Sequence, residues 1–140
     1  MWLVFALLSS VSAALVAIFG KIGLSNVDST LATTLRAIIM AVFLLAAGLA
    51  LGKLNGVALS GVAARDWMFI ALAGIAGALS WLFYFLALKI GRVNNVVVID
   101  RLSVVFVVIL SALFLGEALR WKTAVGVALM VCGALLVAFA

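Results

Sequence analysis

A chain of 140 residues that is 70% hydrophobic and only 9% charged, with a mean hydropathy of +1.53, carries too little polar surface to face water, which excludes a soluble globule. Its net charge of +5 comes from Lys and Arg standing singly between apolar runs, so it marks membrane headgroup anchors and excludes a nucleic-acid surface. With no His, one Cys (Cys132, inside an apolar run) and only Asp28, Asp66, Asp100 and Glu117 as acids, the chain lacks the ligand clusters and nucleophile sets of an enzyme, so no metal or cofactor is expected.

A membrane-crossing helix needs about 20 mainly apolar residues. The first such run, about 2–20, is free of charge. The opening Met-Trp-Leu-Val-Phe has no cationic residue before it, so this helix is expected to be retained, although Ser12-Ala13-Ala14 could pass for a cleavage site. The second run, about 31–52, contains Arg36, and Ser29 or Thr30 is the expected cap of its first amides. The third, about 67–88, is charge-free. The fourth, about 93–115, must begin before Asp100 and Arg101, because the charge-free remainder would be short for a span. The fifth covers about 123–140. Gly91 and Gly116 suit the ends of the third and fourth, and Glu117 reads as a structural boundary acid.

The expected fold is therefore an all-α integral membrane protein with five transmembrane helices in a single domain over residues 1–140. The connections are short and polar and leave no room for a soluble domain. Small residues recur at helix-contact spacing, at Ser9, Ala13 and Ala17, at Gly48 and Gly52, at Ala73 and Gly77, and at Gly126 and Gly133, which predicts packing seams within the bundle.

Five crossings place the termini on opposite sides. Lys53, Arg65, Arg120 and Lys122 fall on the N-terminal side, against Lys21, Lys89 and Arg92 in the loops of the other, with Arg36 and Arg101 inside the spans. Orientation follows an excess of Lys and Arg, and this distribution supplies little. A fixed orientation with a small bias and insertion in both directions are both open on this count.

The stretch Ala87–Val137, ALKIGRVNNVVVIDRLSVVFVVILSALFLGEALRWKTAVGVALMVCGALLV, resembles the EamA domain of the drug/metabolite transporter superfamily. FGKIGL (Phe19–Leu24) and TTLRAII (Thr33–Ile39) fit the same domain, so the resemblance covers nearly the whole chain. It implies a single EamA-like five-helix repeat, whereas larger members look like two repeats fused in inverted orientation about a cavity near the bilayer midplane. Two copies are then expected to assemble, and the even Lys and Arg balance is what an antiparallel homodimer requires. A paired small homologous subunit is the alternative. Val98 stands where the family pattern leads to an expectation of proline, so kinks in this proline-free chain would have to come from Gly and Ser.

The resemblance implies a multi-pass permease of the cytoplasmic membrane (plasma or inner membrane) that moves a small metabolite, an exporter without cofactor, with the lipid bilayer and a small-molecule solute as its partners. Cationic-drug efflux like that of the small multidrug resistance proteins is a second transport reading. Those proteins use a glutamate in helix one, where this chain offers Ser9, Ser10 and Ser12. A non-transporting assembly subunit is a third reading. Arg36 and Asp100 each lie roughly 9 Å from the start of their helix and both helices start on one side, so the two are expected at similar depth, paired. Arg101 points away from Asp100 and needs another acceptor, such as a solute anion. The candidate solute contacts are Arg36, Asp100, Arg101, Ser103, Trp81 and Tyr84, with Lys21 and Lys89 at the cavity mouth. The competing reading has the arginines reaching for headgroups and Asp100 capping a helix end.

Overall fold

The computed structural model describes residues 1–54, 61–116, 118 and 120–139, and the expected role of Glu117 lies outside them. The described residues form helices and no strand: α1 (Trp2–Gly23), α2 (Ser29–Ala50), α3 (Ala64–Ile90), α4 (Val93–Asp100), α5 (Ser103–Phe114) and α6 (Trp121–Ala138). Because α4 and α5 together make one span, Val93–Phe114, five helical stretches are long and apolar enough to cross a bilayer. Large apolar side chains point outward along them. Phe43 is 71% exposed, Leu113 73% and Leu136 75%, an arrangement that hydrocarbon stabilises and water does not.

Several ends extend beyond the apolar runs. The first helix continues through Lys21 to Gly23, and α3 begins at Ala64, ahead of Arg65 and Asp66. Charged residues at headgroup level remain helical because the backbone ladder costs nothing extra there, and Arg65 lies over the ring of Phe69 one turn on, 5.8 Å from its centre. Hydroxyls inside the spans bond back to their own helix, Ser12 to the Leu8 carbonyl at 2.9 Å and Ser111 to the Val108 carbonyl at 3.1 Å.

The cap of α2 is neither Ser29 nor Thr30 but Asp28, whose carboxylate accepts from the amides of Thr30 (2.8 Å) and Leu31 (3.1 Å). A carboxylate satisfies two orphan amides and faces the positive end of the helix, which a hydroxyl does less well. Ser29 instead is buried in the first turn. At the other end α2 closes through Gly52, whose φ of +64° is a left-handed conformation that only glycine adopts cheaply. Gly116 takes the same conformation after α5, whereas the third helix ends before Gly91 without it.

The fourth span is broken although the chain has no proline. The amides of Leu102, Val104 and Val105 bond three residues back, to Ile99, Arg101 and Leu102, so the α pattern tightens to a 3₁₀ pattern. The break falls at Arg101 and Leu102, beside Ser103 and away from any glycine. Val96–Ile99 and Val104–Val105 are β-branched and lose rotamer freedom in a helix, while Asp100 and Ser103 compete for backbone groups, so helical propensity is low here.

The chain divides into two compact units, residues 22–89 and residues 1–21 with 90–140. In the first, α2 and α3 run side by side, and the buried Leu24, Ser29, Phe85 and Leu88 all fall where α2 begins and α3 ends. The Lys89 Nζ donates to the Val27 carbonyl at 3.2 Å across that end. In the second unit α4 packs on α6. Asn95 donates its side-chain amide to the Ala138 carbonyl at 2.8 Å, satisfying an acceptor that the end of α6 leaves open. Lys21 donates to the Gly91 carbonyl at 2.8 Å.

The expected seams resolve unevenly. Ala17 is buried, and a Cβ on Gly48 would come within 2.7 Å of Leu54, so these two positions are packed. Gly77 and Gly126 would meet nothing within 4 Å, so their small size leaves space instead of closing a contact.

The two amide bonds hold the Asp28 carboxyl below its ordinary range, with Lys89 adding to the effect. The cap therefore stabilises in full above the unfolded carboxyl pKa of about 3.9 and weakens as pH falls through the lower folded value. Thermal unfolding in detergent from pH 7 to pH 3 should show Asp28→Asn without this acid-dependent loss and Asp28→Ala with a lower midpoint at every pH. An Asp28→Ala variant as stable as the native chain would contradict the cap.

Candidate functional site

Helices α2 and α3 of the 22–89 unit line an open groove of about 920 Å³. Its α2 wall is Thr30, Thr33, Thr34, Ala37, Met40, Ala41 and Leu44, one stripe at three- and four-residue steps. The α3 wall is built from Ala73, Gly74, Gly77, Ala78, Trp81 and Leu82. The stripe leaves room because its residues are small where the helices face each other. Polar groups gather at the Thr30 end, and the rest of the lining is apolar.

Arg36 is the charge in this lining. Its guanidinium carbon stands 3.6 Å from the centre of the Trp81 ring and 5.2 Å from that of Phe85. The positions of Trp81 and Phe85 follow from the helix: four residues apart, they share a face, and Tyr84 completes the cluster, its ring 5.6 Å from Trp81 and nearly perpendicular at 85°. A cation on an indole face gains an attraction that grows as water is removed, which offsets part of the cost of a charge in a span. Arg36 is half-buried and lines the groove, its guanidinium stacked on Trp81.

The sequence candidates thus fall into two sets. Arg36, Trp81 and Tyr84 come together in the 22–89 unit, and Lys89 sits at its end, bonded to Val27. Asp100, Arg101 and Ser103 belong to the other unit, at the break in the fourth span. There Arg101 borders a small void of about 20 Å³ with Leu102, Val104, Val105, Val127, Met130, Val131 and Ala134. Lys21, in the same unit, is bonded to Gly91. Lys89 is not among the residues that line the groove.

The described residues hold no cluster of three or more metal-ligating side chains. The sequence pattern of the EamA-like transporter family matches residues 1–139. The chain belongs to this EamA-like transporter family. A Sinorhizobium protein named "Uncharacterized transporter in cobO 3'region" is 42% identical over 137 residues, covering 98% of this chain and 96% of the relative. No solved structure matches the chain at a significant level.

In this EamA-like transporter the sequence reading named Arg36 and Trp81 separately and missed that they stack. The signal was available: α2 and α3 are consecutive antiparallel spans, Arg36 lies a few residues inside the start of one, and Trp81 a similar distance from the end of the other. Thr33, Thr34 and Ala37 were missed because nothing marks them until the opposite wall is known.

A double-mutant cycle of Arg36→Gln and Trp81→Leu, read by chemical unfolding in detergent, should give a coupling of about 1 kcal/mol. Additive effects would mean that the stacking contributes nothing.

Proposed function

We propose that this EamA-like transporter is a secondary transporter of a small metabolite across the cytoplasmic membrane, exporting it as an antiparallel pair of chains. The observation that carries the reading is the half-buried Arg36, stacked on Trp81 inside a groove large enough for a metabolite. Solute sites are commonly apolar hollows of about 300–1,000 Å³ with a few placed polar groups, and the groove has that form. The direction rests on the family resemblance. The antiparallel pairing rests on the near-even loop charges and on the presence of one five-helix repeat where larger members carry two.

Asp100, Arg101 and Ser103 are proposed as further solute contacts. Their place at the 3₁₀ break supports this, since a span interrupted there can re-aim these side chains with little change elsewhere. Efflux of lipophilic cations is disfavoured by the same groove, because its charge is a cation and its lining contains no acid.

A metabolite export screen in cells with and without the protein tests the proposal. At least one solute should leave faster with the native chain, and Arg36→Gln and Arg101→Gln, expressed at native level, should each lower that flux by about tenfold or more, as expected for a lost charge-assisted contact. A C-terminal reporter should be found on both sides of the membrane. Undiminished flux in both variants would remove these arginines from the path, and a reporter on one side alone would replace the homodimer by a heterologous pair.

A further inference from the structure

We infer that the groove between α2 and α3 binds a small organic anion with an apolar body, its anionic group on the Arg36 guanidinium and its body along the Ala37, Ala41, Gly74 and Gly77 walls. This deepens the transport reading and rests on it for the passage of the solute. Three observations lead there. The guanidinium carbon of Arg36 stands 3.6 Å from the centre of the Trp81 ring, a stacking distance that uses the flat face of the group, and a carboxylate or phosphate binds a guanidinium through paired N–H donors at its edges. Among the lining residues no acid neutralises the cation, and a cation embedded in a span without a counter-ion is costly, so a bound anion has the most to gain. The space beside Gly74 and Gly77 is open, since a Cβ on either would meet nothing within 4 Å, and its walls offer an apolar body only apolar contacts.

Thr33 and Thr34 refine the class. Their hydroxyls donate to the Ser29 and Thr30 carbonyls at 2.7 and 2.9 Å, which commits the protons to the helix and leaves oxygen lone pairs as acceptors. The polar end of the groove therefore combines donors on Arg36 with acceptors on the threonines. A solute with an anionic group and a neighbouring N–H or O–H donor uses both. A simple organic cation uses neither the arginine nor the indole face, which Arg36 already occupies. An anionic phospholipid presents the same chemistry as a soluble organic anion, a charged oxygen group on an apolar body, and the two sources are separable by experiment.

The test titrates purified protein in phospholipid-free maltoside with phenylacetate and indole-3-acetate, and with their amine counterparts phenethylamine and tryptamine, at constant ionic strength, reading the unfolding midpoint. The carboxylates should raise the midpoint saturably and the amines should not. Arg36→Gln should weaken the carboxylates by about tenfold or more, whereas Arg65→Gln, which alters a cation outside the groove, should match the native chain. Gly77→Leu keeps the cation and fills the groove, so it should weaken indole-3-acetate even if Arg36→Gln fails to fold. The inference is overturned by equal protection from carboxylates and amines, by no protection of the native chain, or by retained carboxylate binding in both Arg36→Gln and Gly77→Leu. Protection by phosphatidylglycerol alone, lost in Arg36→Gln, assigns the groove to lipid and overturns the soluble solute. Anion binding without flux in proteoliposomes would refute transport and leave the site standing; flux of another solute without anion binding would refute this class alone.

Discussion

Inside hydrocarbon a backbone amide or carbonyl has no water to turn to, and that constraint orders everything else in this protein. It turns each apolar run into a helix and sends the hydroxyls of Ser12, Thr33, Thr34 and Ser111 onto carbonyls three or four residues back in their own helix. It also makes the ends of helices the places where polar side chains are used: Asp28 on the first amides of α2, Asn95 on the last turn of α6, Lys21 and Lys89 on loop carbonyls.

Against that background two departures stand out. A guanidinium within a span needs compensation, and Arg36, which lines the open groove, finds part of it on the Trp81 face. The fourth span gives up regular α bonding between Leu102 and Val105, next to the charged pair Asp100 and Arg101. Its first half is tied to α6 through Asn95, so any bending of the span is focused at the 3₁₀ turn.

Much of this was legible in the sequence, for physical reasons. Span number and class follow from run length, because the bilayer fixes how many apolar residues a crossing needs. Boundaries were less so, since Arg65, Asp66 and Lys21 extend helices where hydrophobicity has already ended. Asp28 was passed over in favour of its neighbours, although a carboxylate ahead of Ser29 and Thr30 is the stronger cap. The break at Arg101 and Leu102 had no proline or glycine to announce it, only β-branched residues around Asp100 and Ser103. Depth and charge suggest a carboxylate partner for Arg36 in Asp100, whereas its aromatic partner within the 22–89 unit becomes visible only when the antiparallel register of α2 and α3 is worked out.

The proposed solute site requires the groove to be open to water and not filled by lipid. Cysteine accessibility separates these directly, with Cys132→Ala as background and cysteine placed at Ala41, which lines the groove, or at Phe43, which faces outward. Thiol reagents need the thiolate, which forms in water and not in hydrocarbon. A membrane-impermeant anionic methanethiosulfonate should modify Ala41→Cys in intact membranes about tenfold or more faster than Phe43→Cys. Equal, negligible labelling of both positions would contradict the account.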